Sequence, residues 1–224
     1  MRQPAQPAPS VDNYASVRSA YDTLADTYAA RLPDTRAEAP LDLAMLEQFA
    51  ADVQASGAGP VLDAGCGAGR ITRHLADRGL TIEGLDLSPA MVAAARRDHP
   101  DLTFTVGSIT DLPHTDHSFA GVLLWYSTIH TPPDRLDRVV TEVARVLRPG
   151  GHLLIAFQSG HGTRDLAPAY RRFGHDVELE RYLTTADDVA AHLRATALTE
   201  TCRLVRAAQD RERDAQSLLL ARAD

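Results

Sequence analysis

Two stretches of this chain combine carboxylates, glycines and apolar residues in a spacing that can do chemistry. The first is Val61-Leu62-Asp63-Ala64-Gly65-Cys66-Gly67-Ala68-Gly69-Arg70, in which two apolar residues and an acid lead into glycine at every second position. An amphipathic run follows from Ile71, so the stretch reads as a buried strand end, a tight turn and a helix start. Gly65 and Gly67 permit the turn and let a ligand approach the main chain with no Cβ in the way, and the helix start presents free N–H groups. The second is Ile82-Glu83-Gly84-Leu85-Asp86, an apolar strand closed by an acid that can accept from two hydroxyls of a ribose. A dinucleotide fingerprint needs glycine where Arg70 stands. A phosphate-binding loop needs Gly-Lys-Ser/Thr, and all 23 Lys+Arg residues are arginine. The lack of lysine also excludes Schiff-base chemistry.

The pattern Asp-x-Gly-x-Gly-x-Gly, with Gly84-Leu85-Asp86-Leu87-Ser88-Pro89, Asp111-Leu112-Pro113 and Arg145-Val146-Leu147-Arg148-Pro149-Gly150-Gly151 after it, resembles the class I S-adenosylmethionine-dependent methyltransferases. The resemblance is greatest to the small-molecule enzymes with an N-terminal helical cap, and runs in order over residues 20–222. It implies a Rossmann-like seven-stranded sheet, mainly parallel with one antiparallel strand, and S-adenosylmethionine as cofactor with S-adenosylhomocysteine as product. Asp63, Gly65, Cys66, Gly67, Gly69 and Arg70 would then surround the amino-acid and ribose portions, and Asp86, Leu87 and Met91 the ribose and its flank. Ser108 and Ile109 would lie at the adenine, with Leu124 and Trp125 on the far wall. Relatives close the amino-acid end with a tyrosine of the N-terminal helix, a part that Tyr21 or Tyr28 fits; Arg70 or Tyr21 could hold the carboxylate. Where relatives carry an acid for the adenine amine this chain has Ser108, and Asp111 nearby could substitute.

Methyl transfer from a sulfonium needs chiefly alignment, and a base only where the acceptor is a hydroxyl or protonated amine. Histidine is the default base. His130, following the fourth strand in Tyr126-Ser127-Thr128-Ile129-His130, is the first candidate; its bland reading is a loop residue satisfying backbone groups. His161 and His175 lie in a glycine-rich segment, about 158–183, which resembles the acceptor-covering insert of relatives. His114-x-x-His117 has metal-like spacing, but no cysteine completes a site, and no metal is expected. Arg164, Arg171, Arg172 and Arg181 could read an acidic group or form a solvated surface.

The elements that must position these residues follow from periodicity. Residues 1–10 hold three prolines and read as a disordered tail. Tyr14, Val17, Tyr21, Leu24 and Tyr28 share one helix face, and Leu43, Leu46 and Phe49 another; together residues 11–55 form the helical cap. Residues 56–224 form the catalytic domain. Strands are predicted at 60–64, 81–86, 102–106, 119–125, 153–157, 198–206 and 216–222. Ser88-Pro89 caps a helix running to His99, and Leu136, Val139, Val140, Val143, Val146 and Leu147 form the stripe of another.

The net charge of −7 disfavours a nucleic-acid partner. Cys66 and Cys202 suit a reduced cytoplasmic protein, and no apolar run reaches membrane-span length. The expected partner is a small-molecule methyl acceptor, and the assembly a monomer or homodimer. Two other functions share this pattern: a non-methylating rearrangement or cyclisation with the same cofactor, and a non-enzymatic binding module.

Overall fold

The computed structural model describes residues 13–209 and 212–224; the expected tail over 1–10 lies outside the described residues. Helix α1 (Asn13–Arg31) and helix α2 (Pro40–Ala55) precede the first strand. The chain then alternates through β1 (Val61–Ala64), α3 (Arg70–Ala76), β2 (Ile82–Asp86), α4 (Pro89–Asp98), β3 (Thr103–Val106), β4 (Phe119–Trp125), α5 (Leu136–Val146) and β5 (Leu147–Ser159). A small unit follows, made of β6 (Gly162–Asp165), α6 (Ala167–Arg171) and β7 (Glu180–Leu183). Helix α7 (Ala186–Ala195) leads to the closing pair β8 (Leu198–Arg206) and β9 (Ala215–Ala223).

Seven strands form one sheet in the order β3-β2-β1-β4-β5-β9-β8. All neighbouring pairs are parallel except β5–β9 and β8–β9, so β9 alone runs against the rest. The order reverses between β1 and β4, where an open α/β sheet leaves a crevice beyond the strand ends.

Period-two alternation divides the core between the two faces. Val61, Leu123, Trp125 and Leu154 face α2 and α3, meeting Leu46, Phe49, Val53, Ile71 and Leu75. Leu62, Val122, Leu124 and Ile155 face α5 and α7, meeting Val139, Val140, Val143, Val189 and Leu193. The helices begin as their sequences dictate. Ser88 accepts from the Met91 N–H at the start of α4, with Pro89 in the first turn, and Thr185 with Asp188 forms a reciprocal capping box on α7. Helix α2 is thus a layer of the sandwich. Helix α1 instead packs Ala25 and Ala29 on Met91 and Ala94 of α4, and Ala20 and Leu24 on Val177 and Leu179 before β7.

Two stretches differ from the sequence reading. The 158–183 segment, in which periodicity marks no element, holds a two-stranded antiparallel sheet and a short helix. All four residues of β6 are exposed, so no apolar alternation marks them as a strand. Strand β5 also starts six residues early: Leu147 pairs with Phe119, and the register with β4 then shifts so that Gly121 pairs with His152.

Candidate functional site

A cavity of about 720 Å³ opens at the reversal between β1 and β4. That is within the roughly 300–1,000 Å³ usual for small-molecule sites. One half is built by the ends of β1 and β2. After β1 the chain turns at Gly65, whose φ of +87° is a left-handed value. A Cβ there would lie 2.2 Å from the Ser127 Cβ, so this glycine is required by the loop after β4 as well as by its own backbone. The turn is fastened to β2, as Gly67 N–H donates to Asp86 Oδ2 at 2.8 Å. Ser88 N–H donates to Asp86 Oδ1 at 2.9 Å. Burial raises the Asp86 carboxyl above its ordinary value, and those backbone donors oppose the rise.

Asp63 is more exposed to conflict. It is buried, Thr72 donates to its Oδ2 at 2.7 Å, and its Oδ1 has no hydrogen-bond partner. Burial pushes its carboxyl up to about 7 against the Thr72 hydrogen bond and the Arg70 charge. A carboxylate oxygen left without a donor on a cavity wall calls for one from a ligand.

Arg70 also lines the cavity, but its guanidinium is paired with Glu38, both side chains being almost fully buried. Tyr28 lies near enough to act electrostatically on Arg70. Tyr21 reaches across from α1, its hydroxyl 2.8 Å from His130 Nε2. His130 Nδ1 bonds the Glu180 carbonyl oxygen of β7. A carbonyl only accepts, so Nδ1 carries the proton and Nε2 accepts from Tyr21. Burial lowers His130 to about 4, so the ring is neutral near pH 7. Three separate elements, α1, the loop after β4 and β7, meet at this imidazole.

Tyr21, Tyr28, Asp63, Gly65, Cys66, Gly67, Arg70, Asp86, Leu87, Met91, Ser108, Ile109, Trp125 and His130 all lie on the cavity wall. Gly69, Leu124, His161 and His175 do not. Gly69 heads α3 with a Cβ position 2.8 Å from the Phe104 ring, behind the turn. Leu124 falls on the opposite face of β4 from Trp125 and is buried against α5. His161 is exposed before β6. His175 Nε2 lies 2.8 Å from Thr27 Oγ1, tying the insert to α1. Ser108 Oγ is engaged with Thr110 Oγ1 at 2.8 Å. Asp111 is exposed and off the wall, so it does not stand in for Ser108.

The other half of the wall holds residues that the sequence reading passed over: Ser127, Gln158, Tyr170 and Gln216. Gln158 follows Phe157 at the C-terminal end of β5, and the rule that sites lie beyond strand ends would have pointed to it. Tyr170 sits on a five-residue helix with no sequence signal.

A family model described as a methyltransferase domain matches residues 61–151, which span both acids and the loop after β4. Over this segment, less than half of the chain, the sequence is similar to methyltransferase domains. It is 38% identical over 109 residues to a demethylmenaquinone methyltransferase of Beutenbergia cavernae, covering 47% of this chain and 45% of that one. It is 34% identical over 124 residues to a malonyl-(acyl-carrier protein) O-methyltransferase of Enterobacter lignolyticus, covering 55% and 49%. These matches span about half the length of those relatives. Among solved structures, this chain resembles the Burkholderia thailandensis 1,6-didemethyltoxoflavin-N1-methyltransferase at a TM-score of 0.71 and 22% identity, over 99% of this chain and 94% of that one. It resembles the cyclase SpnF at 0.70 and 18% identity, over 97% and 98%. At such identities these two show a shared fold. Among the described residues, no helix is long and apolar enough to cross a membrane.

Proposed function

We propose that this protein holds S-adenosylmethionine at the β1–β2 half of the cavity and methylates an oxygen or nitrogen of a small molecule held in the other half. The observation that carries the reading is Asp63, a buried carboxylate with one oxygen unpartnered on the wall that also bears Asp86. An unsatisfied buried acceptor costs about 1–3 kcal/mol, more when charged, and a cationic donor relieves it. The ammonium of the cofactor's amino-acid end is such a donor. Asp86, aligned by the Gly67 and Ser88 N–H groups, has lone pairs left for the ribose hydroxyls. Arg70 is committed to Glu38, so the amino-acid carboxylate falls to the backbone turn and to the Tyr28 O–H. Leu87, Met91 and Ile109 supply an apolar slot for adenine.

When bound, the sulfonium supplies an activated methyl group. The protein's contribution is then alignment, worth up to about 7–11 kcal/mol in favourable cases. His130, neutral and bonded through both ring nitrogens, serves by fixing Tyr21 instead of by taking the acceptor's proton. We place the reaction in the cytoplasm, where Cys66 and Cys202 stay as free thiols.

Titration of S-adenosylhomocysteine by calorimetry tests the cofactor half. Uptake is expected, weakened at least tenfold in Asp86→Ala, and no uptake by the unmodified protein would overturn the proposal. Transfer of labelled methyl to a panel of small hydroxyl and amine acceptors tests the reaction. Cofactor binding with no methyl transferred to any of them favours a non-methylating reaction, such as the cyclisation that the cyclase neighbour's name describes.

A further inference from the structure

Four arginines of the 158–183 segment occupy two different situations. Arg164 is half-exposed and donates to Asp214 Oδ1 at 2.8 Å. Arg171 is exposed and pairs with Asp176 at 3.1 Å. Arg172 and Arg181 instead line the cavity. Arg181 is the more enclosed of these two, with a side chain 23% exposed. Its position is fixed by its neighbours in β7: Glu180 O receives His130, and Tyr182 N–H donates to Ile129 O at 2.8 Å.

The Arg181 guanidinium is poorly matched within the protein. Its Nη1 lies 3.8 Å from Asp214 Oδ2, a charge contact beyond hydrogen-bond distance, while Arg164 holds the other oxygen, Oδ1. Its Nε is buried with no hydrogen-bond partner. The carboxylates on this half of the wall are not available to it. Asp42 and Glu212 each take two bonds from Arg206. The same cavity wall carries Tyr14, Ile129, Leu166 and Tyr170 beside the polar Gln158, Arg172 and Gln216. Its charge is felt by the facing groups, lowering Tyr21, Tyr170 and His130 relative to what burial alone gives.

We propose that Arg181 is the specificity residue of the acceptor half, and that the acceptor is a small molecule with an aromatic or otherwise flat apolar body and a carboxylate. A guanidinium is a planar donor group that matches a carboxylate, and Arg181, the most enclosed arginine of the insert on this wall, suits an anionic group on an apolar body. Tyr170 and Tyr14 supply flat surface for that body. This rests on the methyltransferase reading above, so the test separates the two.

The protein saturated with S-adenosylhomocysteine is titrated with matched acid and amide probes of graded size: 3-hydroxybenzoate, 4-hydroxycinnamate and 3-hydroxy-2-naphthoate, each against its carboxamide. At least one acid is expected to bind tenfold or more tighter than its amide. In Arg181→Gln that preference falls to within twofold, and Arg181→Lys restores part of it. S-adenosylhomocysteine affinity of Arg181→Gln stays within twofold of the unmodified protein, which also reports that the variant folds; Asp214 keeps Arg164. No acid bound, acid and amide bound alike, or a preference that survives Arg181→Gln each overturns the assignment of Arg181. Failure of the unmodified protein to take up S-adenosylhomocysteine overturns the reading beneath it instead.

Discussion

Asp63 sets the requirements of the fold against those of a ligand at one side chain. Its carboxyl is raised by burial to about 7, against about 3.9 for an unfolded aspartate. Between those values this carboxyl binds more protons in the folded state than in the unfolded one, so its own share of stability falls as pH rises from about 4 to about 7. Asp63→Asn removes this cost while keeping an oxygen for the Thr72 hydroxyl. Its melting temperature is expected to change less over that interval than that of the unmodified protein, and parallel slopes would refute the assignment. A ligand ammonium at Oδ1 favours the ionised form and pulls the carboxyl down on binding. Below pH 7 binding then releases a proton. Affinity for S-adenosylhomocysteine is expected to climb up to about pH 7 and level off, with a heat that depends on the buffer's ionisation enthalpy. In Asp63→Asn that dependence disappears along with much of the affinity.

At the scale of elements, the turn after β1 and the loop after β4 are made for each other. Gly65→Ala would place a methyl 2.2 Å from Ser127 Cβ at a φ of +87°. Overpacking typically costs about 1–3 kcal/mol and left-handed backbone about 1–2 kcal/mol more. A loss of about 2–5 kcal/mol by denaturant unfolding is expected. Adding Ser127→Gly should recover the packing part and leave the backbone part, so a double-mutant cycle with no coupling would refute the contact. Such pairings are invisible in sequence, which is why Gly65 reads there as a turn and as room for a ligand, with no sign of Ser127. What sequence does carry is periodicity: Val61–Ala64, Ile82–Asp86 and Phe119–Trp125 are legible because their burial is continuous or alternating, and the acids at two of those strand ends point at the crevice. Faces are legible only when alternation is followed through, and following it separates Leu124 from Trp125. Arg70 is the opposite case: its place at the helix start is plain, while the Glu38 that occupies it lies 32 positions away in a turn with no periodic pattern. The insert is hidden because its strand β6 is wholly exposed and its function lies in single residues, Tyr170 and Arg181.

Over the whole molecule, the cavity stays framed because distant parts of the chain are locked by one arginine. Arg206 ends β8, the last strand of the sheet, and reaches Asp42 in the first turn of α2 through Nε–Oδ1 at 2.7 Å and Nη2–Oδ2 at 2.5 Å. It also takes Glu212 in the connection to β9, at 2.6 and 2.7 Å. Arg206 and Asp42 are almost wholly buried. Removing one partner of a buried pair leaves the other charge uncompensated and costs about 3–5 kcal/mol. Arg206→Met is expected to lose about that much in denaturant unfolding. Glu212 is held below the ordinary carboxylate range by its hydrogen bonds to Arg206. Its stabilising share is therefore present near neutral pH and is lost as acid protonates it, and Arg206→Met should lose that part of the acid sensitivity as well. Replacing the triad together, with Arg206→Met, Asp42→Leu and Glu212→Leu, leaves no buried charge unpaired and is expected to recover most of the loss. A triple variant as unstable as Arg206→Met would show that the three residues do not act as one unit, and that α2 is held to the sheet by its apolar face alone.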